Sequence, residues 1–337
     1  MSVFNAERYL KQAIESILKQ TFDDFELLIL NDGSTDSSAG IVATYAQQDN
    51  RIIVHLSPTN QGLVKNLVFG VTQARGKYIA RMDADDISLP QRLEKQVAYL
   101  DARPEVGLLG TNVQYIDENG AFLEGGRSRH LAPESEVVLR WMLMWKNVIY
   151  HPTVMLRRRV LEEHHLNYNA EYSRTQDWEL WTQMIRHTQV HRLHDVLLHY
   201  RILPASLSHT AESKIWIRRN MEREMIAFMG NAVVSHEGFS TLLDVFSQAE
   251  PQGEQVYWAA TALLFEIYRR YRTKGLSPTD RRTIETDVIN RCRTLARLAA
   301  RGSRREALQI LMPAIQLNAG LFMRIAAGKL AARVNRQ

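Results

Sequence analysis

Asp83-Ala84-Asp85-Asp86 closes a strand-like run, Tyr78-Ile79-Ala80-Arg81-Met82. Clustered carboxylates at one strand tip repel one another. A hard divalent cation relieves that repulsion, because Mg²⁺ takes oxygen ligands and is commonly held by one or two carboxylates plus substrate phosphates. The competing reading is a solvated acidic turn ahead of Pro90. A second acidic turn, Asn31-Asp32-Gly33-Ser34-Thr35-Asp36, follows the apolar run Phe25-Glu26-Leu27-Leu28-Ile29-Leu30. A further carboxylate, Asp177, opens a helical pattern and is flanked by Trp178 and Trp181. On its own it reads as an acid favoured by a helix N-terminus.

The elements that must position these groups alternate. Helical spacing of Leu10, Ile14, Ile17 and Leu18 predicts a helix over 6–20 with Asn5 as its N-cap. Strands are predicted at 25–30, 52–56, 78–82 and 107–116, and helices at 37–48, 62–74 and 90–102. This alternation implies right-handed βαβ units, an α/β fold and a mostly parallel sheet. Ligands of such sheets bind at the carboxyl ends of strands, where Asp32 and the 83–86 cluster both fall. The middle region is predicted to hold a helix near 134–146, a strand at 153–156, a helix at 176–187 and a strand at 196–201. From about 210 onward the pattern is helical, with breaks at Gly253, Gly275-Leu276-Ser277-Pro278, Gly302-Ser303 and Gly320. The domain boundary is predicted near 205.

A chain of 337 residues, 45% hydrophobic, can bury a sizeable core in about two domains. Its one cysteine, Cys292, permits neither an internal disulfide nor a cysteine zinc site. No apolar run approaches the roughly 18 residues of a membrane span, and no secretory signal is visible, so a cytoplasmic protein is predicted. The net charge of +5 divides into −3 over 1–204 and +8 over 205–337. The basic half suggests an anionic neighbour such as the inner membrane surface, or else solvated Arg-rich helix faces. Its basic residues lack interleaved aromatic platforms, which argues against nucleic acid. A glycine fingerprint after a first strand and a phosphate-loop motif are both lacking, against dinucleotide oxidoreductases and P-loop NTPases.

Taken together the segments resemble the inverting family 2 glycosyltransferases with a GT-A fold. The likeness rests on Val3-Phe4-Asn5-Ala6-Glu7-Arg8-Tyr9-Leu10, on 20–36, on Gly76-Lys77 through Asp86, on His151-Pro152-Thr153, and on Gln176-Asp177-Trp178-Glu179-Leu180-Trp181. It covers roughly 1–205, with a nucleotide half over about 1–118 and an acceptor half over about 119–205. The 206–337 helical region lies outside it. The resemblance implies transfer of a sugar from a nucleotide-diphospho-sugar to a hydroxyl, with Mg²⁺ or Mn²⁺ as cofactor, in surface-polysaccharide or lipopolysaccharide synthesis. Asp32 would face the base and Asp83 the ribose, with Phe4 and Lys65 also on the donor. Asp85 and Asp86 would hold the metal, and Asp177 would be the general base. His151 and Arg201 are candidate acceptor or diphosphate contacts. The acceptor would be a glycan or a lipid-linked molecule. The family's first strand, ahead of Phe4, is expected to be missing. An inactive module of the same fold, binding nucleotide or a protein partner, is the alternative.

Overall fold

The computed structural model describes residues 1–127, 135–203, 211–251 and 254–334. The predicted boundary near 205 and the predicted break at Gly253 lie outside them. The chain opens with β1 (Ser2–Val3), α1 (Glu7–Leu18), β2 (Leu27–Asp32), α2 (Ser38–Gln48), β3 (Ile52–Ser57) and α3 (Leu63–Gln73). β1, β2 and β3 pair in parallel, in that order. The strand expected to be missing is therefore present in part. Ser2 and Val3 pair with Leu30 and Asn31, the Met1 carbonyl accepts the Leu30 N–H at 2.9 Å, and Ser2 bridges Asp83 on the other side. Alongside, between β2 and the strand bearing the acid cluster, lies a cavity of about 860 Å³ with Leu28, Leu30, Ile79, Val97 and Met155 in its walls.

α1 buries Leu10, Ala13, Ile14 and Ile17 against this sheet, as the helical spacing requires. Asn5 is not its cap. The N-cap is Ala6, while Asn5 adopts φ +47° and its side-chain oxygen accepts the Thr35 N–H at 2.8 Å. The Ser38 hydroxyl accepts the Ala6 N–H, and Asp36 accepts that of Glu7. These bonds tie the loop after β1 to the loop after β2. Gly33 turns that second loop at φ +68°, and a Cβ there would meet the Thr59 carbonyl carbon at 2.6 Å. Gly33→Ala is expected to cost about 2 kcal/mol or more, from left-handed strain plus a backbone clash, read as a lower urea midpoint.

The chain continues through β4 (Tyr78–Ala80), β5 (Ile87–Ser88), α4 (Arg92–Asp101), β6 (Val106–Ile116), β7 (Phe122–Arg127) and α5 (Glu136–Leu143). β8 (Met155–Arg157), α6 (Arg158–Glu163), α7 (Gln176–Met184) and β9 (Gln189–Arg201) follow. The second sheet runs β4-β8-β6-β9-β5, with β7 paired to β6. Only β6–β9 is parallel in it, so the mostly parallel expectation holds for the first sheet and fails for the second. The β6–β7 hairpin shows why: a short turn can return a chain only antiparallel.

The remaining helices are α8 (Ala211–Met229), α9 (Phe239–Ser247), α10 (Tyr257–Arg272), α11 (Pro278–Ala299), α12 (Arg304–Leu317) and α13 (Ala319–Val334). Two compact units result. One comprises Met1–Leu139 and Asn147–Ser213, the other Arg140–Lys146 and Lys214–Gln337. Trp141 and Trp145 thus belong to the helical unit, packed on Tyr271 and beneath the Arg291 guanidinium. The Ser277 and Ser303 hydroxyls cap α11 and α12 by accepting the Asp280 and Glu306 N–H groups. The break predicted at Gly320 lies two residues earlier, at Asn318, so Gly320 is the second residue of α13.

Candidate active site

β4 ends two residues before Asp83, and the next residues turn sharply to place all three acids together. One carboxylate oxygen each from Asp83, Asp85 and Asp86 lies within 4.8 Å of the others. Asp83 is ion-paired to Arg81, whose side chain is only 8% exposed. Asp86 is buried; its Oδ1 accepts the Arg201 N–H at 2.8 Å, and its Oδ2 meets no donor. Burial, then the Asp83 charge, push the Asp85 carboxyl up to about 6. Burial, then Asp83 and Asp85, raise Asp86 well above the carboxylate range. Low dielectric and like charge both disfavour the ionised form here. A buried carboxylate oxygen without a donor, converging with two more carboxylates, is a donor set suited to a hard divalent cation.

Arg201 does not present itself to a phosphate. It is buried, with Nε donating to the Asp85 carbonyl at 2.7 Å and the terminal nitrogens donating to Asp117, Glu118 and Gln12. Its guanidinium stands over Tyr9 at 4.5 Å. The sequence expectation of a diphosphate contact is corrected here: protein acceptors surround this cation, and it braces the acid loop from behind. Each such charge-assisted bond is worth about 1.5–3 kcal/mol. Arg201→Met is therefore expected to lower stability by about 3 kcal/mol, read from urea melts.

Asp177 stands in the first turn of α7, with Trp178 and Trp181 fully buried beside it. Its Oδ2 accepts from Asn147 Nδ2 at 2.7 Å and its Oδ1 from the Trp178 N–H at 2.8 Å. Burial pushes its carboxyl up to about 6, against the pull of those donors and of Arg81. His151 lies in a short 3₁₀ turn, His151–Thr153, rather than in extended backbone. It is buried, its Nε2 is 2.8 Å from the Tyr168 hydroxyl, and burial holds it well below the usual imidazole range. Arg81 acts electrostatically on Asp83, Asp86, Tyr168, His151 and Asp177 alike.

Asp32 is buried at the end of β2, where its carboxylate accepts the Gln61 and Gly62 N–H groups at 2.7 and 2.9 Å and so fixes the loop that leads into α3. Phe4, just past β1, is 49% exposed, and Lys65 is exposed on α3. Ser2 and Asp83 form the bridge between the first sheet and the acid loop, which brings Phe4 to that loop's side of the sheet.

The sequence profile described as glycosyl transferase family 2 matches residues 1–165. An uncharacterised glycosyltransferase of Methanocaldococcus jannaschii is 36% identical over 207 residues, covering 60% of this chain and 69% of that protein. The chain belongs to glycosyl transferase family 2. The O-antigen biosynthesis glycosyltransferase WbnJ of Escherichia coli is 33% identical over 63% of this chain and 81% of its own length. The amylovoran biosynthesis glycosyltransferase AmsE of Erwinia amylovora is 34% identical over 60% and 74%. Among solved structures, residues 1–349 of S. aureus TarS align over 97% of this chain and 90% of that piece, with a TM-score of 0.53 at 17% identity. The fold is GT-A, and this family 2 protein is a glycosyltransferase.

Two residues of the site escaped the sequence reading of this glycosyltransferase. Arg81 carried a signal: an arginine inside an apolar strand, two residues before an acid, is a buried charge that needs a partner. Asn147 carried none, since its partner is 30 positions away. Removing its donor leaves the charged form of Asp177 less stabilised. Asn147→Ala is therefore expected to move the acid limb of the rate profile upward from about 6, by about one pH unit for a hydrogen bond of this kind.

Proposed function

We propose that this glycosyltransferase moves a sugar from a nucleoside-diphosphate donor to a hydroxyl with inversion at the anomeric carbon. One observation carries the reading: the carboxylates of Asp83, Asp85 and Asp86 converge within 4.8 Å of one another, and Oδ2 of buried Asp86 meets no donor. In this reading that cation-binding loop serves the leaving group and Asp177 the attacking group, at one reacting centre. In this reading the donor base lies against the Asp32 turn, with Phe4 and Lys65 facing it and Asp83 toward the ribose. Asp85 and Asp86 hold Mg²⁺ or Mn²⁺, which when bound supplies Lewis-acid neutralisation of the departing diphosphate.

Asp177 accepts the proton of the acceptor hydroxyl. The hydroxyl oxygen bonds to the anomeric carbon as the bond from that carbon to the diphosphate oxygen breaks. A single displacement with the base opposite the leaving group inverts the centre. The raised affinity of Asp177 for protons, about 6, suits it to this role near neutral pH better than an ordinary aspartate. His151 acts behind the base through Tyr168.

The acceptor in this reading is a growing glycan or a lipid-linked saccharide of a surface polysaccharide. The names of WbnJ and AmsE, O-antigen and amylovoran biosynthesis, support that class. The chain then works in the cytoplasm, with its helical region in peripheral contact with the inner membrane. Donor choice is tested by thermal shift and transfer with UDP-, GDP- and dTDP-sugars plus Mn²⁺. TarS, which shares the fold, has been solved with UDP and with UDP-GlcNAc, which makes UDP-sugars the first panel. NMR of the product should show an inverted anomer; a retained one overturns the mechanism.

A further inference from the structure

The last fifty residues carry the strongest charge bias in the chain. Residues 288–337 hold 10 Lys+Arg and a single acid, Glu306. Within them α12 and α13 meet at Asn318 with a bend of 117°. The pair is apolar enough together to pass as a membrane span, yet among the described residues no single helix is. At 1.5 Å per residue α12 is about 21 Å long and α13 about 24 Å, short of the roughly 30 Å hydrocarbon layer. The bend prevents a straight joint crossing.

An apolar stripe runs along the exposed side of α12, flanked by exposed Gln309 and Gln316. Leu308 is 65% exposed and Met312 51%, with Leu311 and Ile315 half-buried between and beyond them. Those positions fall on one side of a helical wheel, while Ala307, Ile310 and Ala314 face inward. Past the bend, Met323 is 65% exposed and Leu321 is buried. Arg301, Arg304, Arg305 and Arg324 border the apolar residues, are exposed, and make no ion pair among the described residues. An apolar stripe without a basic rim would fit many protein partners. The rim selects an occupant that is anionic and apolar at once.

We propose that the α12–α13 corner lies in the plane of an anionic phospholipid bilayer, with Leu308, Met312 and Met323 entering the acyl boundary and the four arginines on the headgroups. This deepens the membrane contact of the proposed function and rests on that reading. The physics is that of interfacial helices, whose binding combines buried apolar area with attraction to anionic lipid.

Vesicle flotation of the full chain tests it. Binding is expected to vesicles of phosphatidylcholine doped with phosphatidylglycerol, to be weak on phosphatidylcholine alone, and to fall with added salt as the field is screened. Leu308→Glu with Met312→Glu should reduce partitioning by about tenfold or more, because two apolar side chains are lost from the acyl boundary. Arg304→Glu with Arg305→Glu, both at exposed positions, should do the same and guards against misfolding of the first variant. Both should keep the donor-induced thermal shift. Asp177→Asn, silent in transfer under the proposed mechanism, should float like the native chain, so the two readings fail separately. Equal binding to neutral vesicles, unchanged flotation of either double variant, or retention of an RNA oligonucleotide in place of vesicles overturns the proposal.

Discussion

Asp177→Asn is expected to lower the transfer rate by about 10³-fold, the middle of the range for loss of a positioned general base. The amide cannot take the acceptor proton; its single oxygen replaces one of the two carboxylate oxygens that now accept from Asn147 and from the Trp178 N–H, and the other bond is lost at a cost of about 1 kcal/mol. Donor binding should therefore survive. Stability should not fall either, and the sign follows from linkage. The folded group titrates near 6, above its ordinary 3.8, so the folded chain binds the extra proton between those values. Stability contributed by this site drops as pH rises through that window and stays low above it. A shift of this size corresponds to about 3 kcal/mol at most. The variant should melt at or above the native temperature at pH 7.5, and its advantage should vanish at pH 4. For the native chain, the rate should decline below pH about 6 as the same carboxylate protonates. Loss of both rate and melting temperature in the variant would reassign Asp177 to structure.

Removal of the divalent ion is the second large effect. Chelation, or Asp85→Ala at saturating Mn²⁺, should reduce transfer by about 10³-fold, the equivalent of the several kcal/mol that a metal contributes to a developing charge. The thermal signature should run in opposite directions in the two proteins. Without metal, the native cluster holds carboxylates crowded within 4.8 Å, so deleting Asp85 relieves repulsion and raises the melting temperature. With Mn²⁺, the native chain gains stability by mass action, about 2.7 kcal/mol at a hundredfold excess over Kd, and the variant gains little. A variant that loses activity yet keeps the full Mn²⁺ stabilisation would move the metal elsewhere.

Local signals were read well where the physics is local. The 83–86 acids, the Asp32 turn and the helices at 38–48 and 92–101 follow from periodicity and turn chemistry within a few residues. What escaped depends on partners far along the chain. Arg201 reads as an acceptor or diphosphate contact because nothing near it in sequence reveals that Asp85, Asp117 and Gln12 close around it, the last 189 positions away. The antiparallel pairings of the second sheet are hidden for the same reason, since pairing of Ile87 with His199 has no periodic trace. The membership of Trp141 and Trp145 in the helical unit rests likewise on distant partners, Tyr271 and Arg291. The first strand leaves no trace in the sequence because Ser2 and Val3 are too few to show alternation; their pairing is imposed by β2.

Anomalous scattering from crystals grown with Mn²⁺ and UDP or GDP tests the central claim most directly. The account predicts one manganese peak in contact with carboxylate oxygens of Asp85 and Asp86, bridging to the nucleotide phosphates, with Asp177 facing the open side of the same hollow. A nucleotide bound without manganese at that loop, or a peak on another set of residues with the acids unengaged, would contradict it.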